Sequence, residues 1–495
     1  MKPNFWIKIC SKCFLCKYVR TSKDKTKLKY KVFNKIKLFC PICRAANYSL
    51  KKIETTHKID FEQRYKIEII KKTDINVVQN IKETNKKILQ LLHKNHNRPS
   101  TISYYEEILT SSLRLDELKE TKRNGKKIIG TFCIFVPEEL IYACGAIPVR
   151  LCAGSYDTIS YAEEVLPRDI CPLIKSSFGF KILGLSYFEL CDLVIIPTTC
   201  DGKKKLAEIL NDMMPVWILE LPNRKNLTKA KTFWLEEIRT LKEKLEKFTK
   251  IKITKENLKQ AIKLLHQRQM IFRKLYQLKK TYPLLLNERD TLLIIQASFY
   301  DDIKRWIEKT NQLYNEVYSL TLDSKHLNSK FSTQNITTQP IKLLLTGAPI
   351  IWPNYKILNI IETTQATIVA DELCSGVRSL YDTTEVDDWS TEGCLRALAY
   401  KYLLPSTCPC FTESNDRIDK LLQSIKDFSV DAVIYHSLRL CQLYDIEFYK
   451  IKTVLKNYGI PILKLHTDYS PEDTEQLKTR IEAFIEMLKN KNQLK

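Results

Sequence analysis

From about residue 131 onward, apolar runs alternate with segments of helical periodicity. "PEELIYACG" reads as a helix with Pro137 in its first turn and Gly145 past its end. The strand "IPVRLC", a helix from Pro172, the strand "LVIIP", a helix from Gly202 and the strand "VWILELP" follow. Short, near-continuous apolar runs separated by helical patterns predict a parallel sheet covered by helices. After the polar stretch "LNSKFSTQNITTQP", which marks a boundary, the alternation returns with strands "IKLLLTGAP", "TIVADEL", "DAVIYHSL" and "IPILKLHT". Ser470, Pro471, Glu472 and Asp473 signal the start of a closing helix. No tandem repeat of 20 to 50 residues is visible, although "CDLVIIPTTC" and "VDAVIYHSLRLC" share one plan: Asp, apolar strand, polar exit, Cys.

The expected organisation has five parts. Residues 1–50 form a Cys-rich metal ribbon, 51–130 a helical linker or apron, 131–228 a first α/β domain, 229–335 a helical segment and 336–495 a second α/β domain. The length of 495 residues supports several cores. Composition is that of a globular protein, with 44% hydrophobic and 28% charged residues. No run approaches the length of a membrane helix, and "MKPNFWIKICSKC" lacks a signal core, so a cytoplasmic protein is expected.

The formal net charge of +23 raises nucleic acid as a partner. Lysine is nevertheless spread along the whole chain beside Asn and Ile, the mark of compositional bias. Only 17–37, with nine basic residues against one acid, is a dense run.

The sixteen cysteines change the picture more. A chain read as cytoplasmic keeps thiols reduced, and the seven scattered histidines offer no ligand spacing, so thiolate ligation of zinc or iron–sulfur is the leading use. Cys200, Cys374 and Cys441 each lie just past the carboxyl end of an expected strand, where ligands of open α/β sheets bind. Cys171 and Cys408 precede prolines, and Cys133 lies four residues before Pro137. All three suggest helix N-termini, whose partial positive charge lowers thiol pKa. Cys144, Cys152, Cys191 and Cys394 sit within elements in apolar company and read as packing residues. Near the start, Cys13-x2-Cys16 and Cys40-Pro-Ile-Cys43 have four-thiolate spacing for a zinc ribbon or a rubredoxin-like iron site. Cys10 extends this to a C-x2-C-x2-C run without the C-x3-C-P continuation of a ferredoxin. "TTCDGKKK" lacks the first glycine and final hydroxyl of a phosphate loop, so ATP binding by this chain is not expected.

"TFCIFVPEELIYACGAIPVRLC", "LPRDICPLIKSSFGF", "IPTTCDGKKKLAEIL", "DELCSGVRSLYD", "LLPSTCPCFTESNDRI" and "RLCQLYDIE" together resemble the double-cubane cluster proteins. These are members of the superfamily of 2-hydroxyacyl-CoA dehydratases and benzoyl-CoA reductases. The resemblance spans about residues 130–490. It implies two Rossmann-like domains holding iron–sulfur in a cleft, an oxygen-sensitive reductase component, and an ATP-hydrolysing iron–sulfur activator protein as electron donor. Two cubanes sharing a bridging sulfide need six thiolates. Cys133, Cys171 and Cys441 resemble the single-cluster set, and Cys200, Cys374 and one of Cys408 and Cys410 would complete an 8Fe-9S cluster. Proline between Cys408 and Cys410 suggests that their side chains diverge, with Cys410 favoured as ligand.

A dehydratase subunit with one 4Fe-4S cluster, and a zinc-ribbon nucleic-acid-binding protein, are the alternatives. The three lysines of "GKKK" are expected to dock the activator, balance cluster charge or simply be solvated. A small-molecule substrate is expected, and a second copy of the chain stands among the expected partners. No catalytic residue is assigned.

Overall fold

The computed structural model of the chain describes residues 74–93, 98–282, 285–322 and 340–493. The chain divides into two compact units, Met1–Glu68 and Ile69–Lys495. The expected ribbon, with Cys10, Cys13, Cys16, Cys40 and Cys43, lies outside the described residues.

The second unit holds two parallel four-stranded sheets. The first contains β1 (Ile128–Thr131), β2 (Ile147–Arg150), β3 (Leu193–Pro197) and β4 (Val216–Leu219), in the order β2-β1-β3-β4. The second contains β5 (Ile341–Gly347), β6 (Ala366–Glu372), β7 (Ala432–Leu438) and β8 (Ile462–Thr467), in the order β6-β5-β7-β8. Each sheet thus starts at an inner strand, moves outward one way, then crosses to build the other side. The strand order reverses between β1 and β3 and between β5 and β7, and a crevice opens at the carboxyl ends of strands flanking such a point. β1, β3, β6 and β7 are buried along their whole length, which is why the longer ones read as continuous apolar runs rather than as alternating ones.

Seven of these strands match the expected pattern. β1 is the exception: three of its four residues fall at the end of the stretch that reads as helical linker or apron. The rest of that stretch that is described forms helices Ile75–Leu92, Ile102–Thr110 and Leu113–Arg123. These are a docked apron rather than a linker, because Leu92, Ile102, Tyr105 and Ile108 join one core with Leu292–Ile295, and the Tyr105 hydroxyl lies 3.0 Å from Thr310 Oγ1.

Long helices, Thr228–Thr249 and Lys255–Thr281, tie the halves together. Trp234, Ile238, Leu241 and Leu245 recur at helical spacing and are buried. They share a core with Ile129, Leu193 and Ile195 of the first sheet and with Leu395, Leu398 and Ala399 of the helix Thr391–Leu403 from the second half. The Trp234 indole donates to the Ala399 carbonyl at 3.0 Å. The closing helix begins at Thr474, later than the Ser470 signal suggests. Asp473 instead sets the corner, accepting from Lys356 and, at 2.7 Å, from the Thr467 hydroxyl. Among the described residues no helix is long and apolar enough to cross a membrane.

Candidate metal centre at the sheet edges

Cys133 follows β1 by two residues and has a left-handed backbone, φ +60°, a conformation that is uncommon for a non-glycine residue and marks a constrained position. Cys200 leaves β3 and caps the helix Asp201–Asn211. Those two strands flank the reversal point of the first sheet. Cys171 is the residue before the helix Pro172–Ile182, with proline in its first turn as the sequence suggests. In the second half, Cys374 lies two residues beyond β6, and Cys441 caps the helix Gln442–Asn457, preceded by Leu440 at φ +64°.

Cys408 corrects its expectation. The next helix is Asn415–Asp427, so Pro409 opens a turn rather than a helix, closed by Phe411 N–H donating to the Cys408 carbonyl at 3.3 Å. Around that turn the thiols of Cys408 and Cys410 interact, which lowers the Cys408 pKa and raises that of Cys410.

All seven of these cysteines are half-buried, whereas Cys144, Cys191 and Cys394 are buried in the core. The structure brings the seven into one neighbourhood. Cys133 Sγ accepts from the Lys203 ammonium at 2.6 Å and lies 3.4 Å from Thr199 Oγ1. Burial works against the charge of Lys203, but Cys133, Cys200 and Cys152 hold its pKa well above the usual lysine range. Interaction with Cys441 lowers the Cys171 pKa, and interaction with Cys171 raises that of Cys441. Arg378 also favours the charged form of Cys408. Burial pushes Cys374 up to about 12, with Arg378 opposing and the charges of Cys133 and Cys408 adding. Burial likewise raises Cys200 against Lys203, while Cys133 and Cys441 raise it further.

The donor set fits a thiolate-bound polynuclear group. Among the described residues no three or more His, Cys, Asp or Glu side chains are gathered closely enough to hold one metal ion. A cluster takes its thiolates at separate irons, so its ligands stand further apart than the four around a zinc ion. The buried cations facing the thiols also match an anionic group.

Cys152, read as a packing residue, packs against two apolar clusters; it also interacts with Lys203 and lines a mainly apolar cavity of about 230 Å³ with Phe180, Tyr187, Phe299 and Tyr300. Of the three consecutive lysines only Lys203 faces the thiols; Lys204 and Lys205 pair with Asp201 and Glu208 at the surface. His436 is buried on β7, with Nδ1 2.7 Å from the Ala348 carbonyl.

Residues 133–488 match the 2-hydroxyglutaryl-CoA dehydratase D-component family, HGD-D, and the chain belongs to that family. It is 34% identical over 381 residues to the putative dehydratase subunit YjiM of Escherichia coli (strain K12), covering 77% of this chain and 95% of the relative. Against the beta chain of (R)-2-hydroxyglutaryl-CoA dehydratase from Acidaminococcus fermentans it is 24% identical, covering 75% and 95%. A benzoyl-CoA reductase component from Thauera aromatica is 21% identical, with 64% and 79% covered. The superfamily expected from the sequence blocks is the one found, and the chain is of the dehydratase and reductase enzyme type.

Proposed function

We propose that this chain carries a double-cubane 8Fe-9S cluster on Cys133, Cys171, Cys200, Cys374, Cys441 and the Cys408/Cys410 pair. In this reading it takes low-potential electrons from an ATP-hydrolysing activator protein and reduces a small substrate in the cytoplasm. The observation that supports it is that seven half-buried thiols from both α/β halves interact with one another, with Lys203 held against Cys133. When bound, the cluster supplies one-electron transfer at low potential.

The chain's own residues do the rest. Lys203 and Arg378 offset negative charge beside the thiols. The mainly apolar cavity lined by Cys152, Tyr187, Phe299 and Tyr300 is the proposed place of the small substrate. Cys13, Cys16, Cys40 and Cys43 are proposed as a separate zinc or iron site.

The test mixes anaerobic full-length protein with an ATP-driven activator and follows the electron paramagnetic resonance spectrum. ATP-dependent reduction of the centre supports the reading, and its absence with an active donor overturns it. A second reading, a dehydratase subunit with one 4Fe-4S cluster on Cys133, Cys171 and Cys441, draws on the relative named as a dehydratase beta chain. It requires that Cys200→Ser and Cys374→Ser leave the iron content unchanged.

A further inference from the structure

Ile134, the residue after Cys133, borders a second cavity, of about 40 Å³, walled by Arg150, Arg268, Arg378 and Lys401. The three arginine side chains are 8%, 7% and 2% exposed. Guanidinium groups buried to this degree ordinarily have their N–H donors occupied. Here Nε, Nη1 and Nη2 of Arg378, Nε and Nη1 of Arg150 and Nε of Arg268 have no hydrogen-bond partner among the described residues.

The nearby acids do not account for them. Glu138 accepts from Arg268 at 2.7 Å and stands 3.6 Å from Arg150. Lys401 is matched by Glu139 at 2.6 Å. The carboxylate nearest Arg378, on Glu372, is 3.5 Å from its Nε and is already held by Arg417 and Thr407. Asp382, the other acid of the cavity wall, faces Lys420 at 3.7 Å. Four cations and two acids therefore line a space that holds only a few water-sized groups.

We propose that this cavity is a carboxylate-binding site, with Arg378 as its main bidentate donor and Arg150 and Arg268 completing the cradle. A guanidinium presents parallel N–H bonds at the spacing of a planar carboxylate, which is the fit required here. Arg150 also lines the apolar cavity at Cys152 and stacks on Phe299, 4.0 Å from the ring centroid. The carboxylate therefore sits within reach of apolar space beside the thiols. It is either a free small anion or the end of a larger acid. The inference stands on the arginines and does not depend on which cluster the thiols hold.

Isothermal titration of the anaerobic full-length protein with formate, acetate and butyrate, at constant ionic strength against chloride, tests it. Saturable one-to-one carboxylate binding that chloride does not reproduce is expected. Affinity rising from formate to butyrate identifies the end of a larger acid, and affinity falling along that series identifies a free anion. Arg378→Met is expected to weaken carboxylate binding at least tenfold, with Arg378→Lys intermediate. Arg268→Met, whose charge partners are Glu138, Tyr142 and Tyr402 rather than thiols, is expected to weaken it without loss of iron. No carboxylate binding beyond chloride in the wild type, or unchanged affinity in folded Arg268→Met and Arg378→Met proteins, would overturn the proposal. Iron and sulfide measured on the same samples keep its failure separate from failure of the cluster reading.

Discussion

The ammonium of Lys203 lies 2.6 Å from the sulfur of Cys133 and 3.3 Å from the hydroxyl of Thr199. The helix Asp201–Asn211 starts directly after β3, so its first turn carries Lys203 back over the reversal point to the cysteine that leaves β1. A fixed cation beside a thiolate-bound cluster favours its more negative, reduced form. Lys203→Met is therefore expected to lower the midpoint potential by about 60 mV, equivalent to a tenfold change in a one-electron equilibrium. A redox titration followed by electron paramagnetic resonance reads this directly, and an unchanged or raised potential counts against the role given to Lys203.

The contact between Cys408 and Cys410 changes what their variants should do. Interacting thiols two positions apart on one turn are interchangeable candidates for the same iron. Cys408→Ala and Cys410→Ala alone should keep most of the iron, whereas the double variant should lose about half. Cys152→Ala should retain its iron, since the other cysteines already supply the ligands. Iron analysis of the four proteins decides. Full iron in the double variant would remove this pair from the ligand set.

What the sequence makes legible follows from burial. β3, β5, β6 and β7 are enclosed by helices and appear in the chain as long runs of Ile, Leu, Val and Ala. β1 offers only Ile128 and Ile129 before Gly130 and follows directly on the basic "KRNGKK", so the strand that delivers Cys133 reads as the end of a linker. Cys152 is within reach of sequence reasoning, because it too lies just past a strand, β2, and obeys the rule that singles out Cys200, Cys374 and Cys441. Its apolar neighbours make it look like a packing residue. The left-handed turn at Cys133 has no glycine to announce it. Proline in Cys408-Pro409-Cys410 signals a fixed φ, but the hydrogen bond from Phe411 decides how the turn closes. Arg378 and its unpartnered donors are a property of the assembled fold, with no local signal.

Trp234 joins the two halves through one indole. It is fully buried and donates to Ala399 at 3.0 Å. Trp234→Ala should destabilise the protein by about 3–5 kcal/mol through lost burial and the cavity left behind. Trp234→Phe should cost less, about 1–3 kcal/mol, largely from the unpaired carbonyl. Anaerobic thermal unfolding should rank wild type above Phe and Phe above Ala. Equal unfolding temperatures would show that the halves are held elsewhere.

Burial lowers the His436 pKa from 6.5 to about 4, helped by Lys356 and His466 and opposed by its hydrogen bond to Ala348. Below pH 6.5 the unfolded chain takes up a proton that the folded chain refuses. Stability from this group is therefore complete above pH 6.5 and falls as pH drops toward 4, by roughly 3 kcal/mol over the whole window. His436→Asn keeps a donor for the Ala348 carbonyl without the titration. Urea unfolding between pH 4 and 7 should be flatter for His436→Asn than for wild type, and parallel curves would contradict the assignment.

The central claim is that thiols from both halves hold one double-cubane cluster, and acid-labile sulfide tests it most directly because a thiolate-only site in the first fifty residues contributes none. Anaerobically reconstituted full-length protein should contain about eight irons and about nine sulfides per chain beyond any metal at Cys13, Cys16, Cys40 and Cys43. Cys200→Ser should lose about half of both. About four irons and four sulfides, unchanged by Cys200→Ser, would contradict the double cubane, and absence of sulfide would contradict an iron–sulfur centre of any kind.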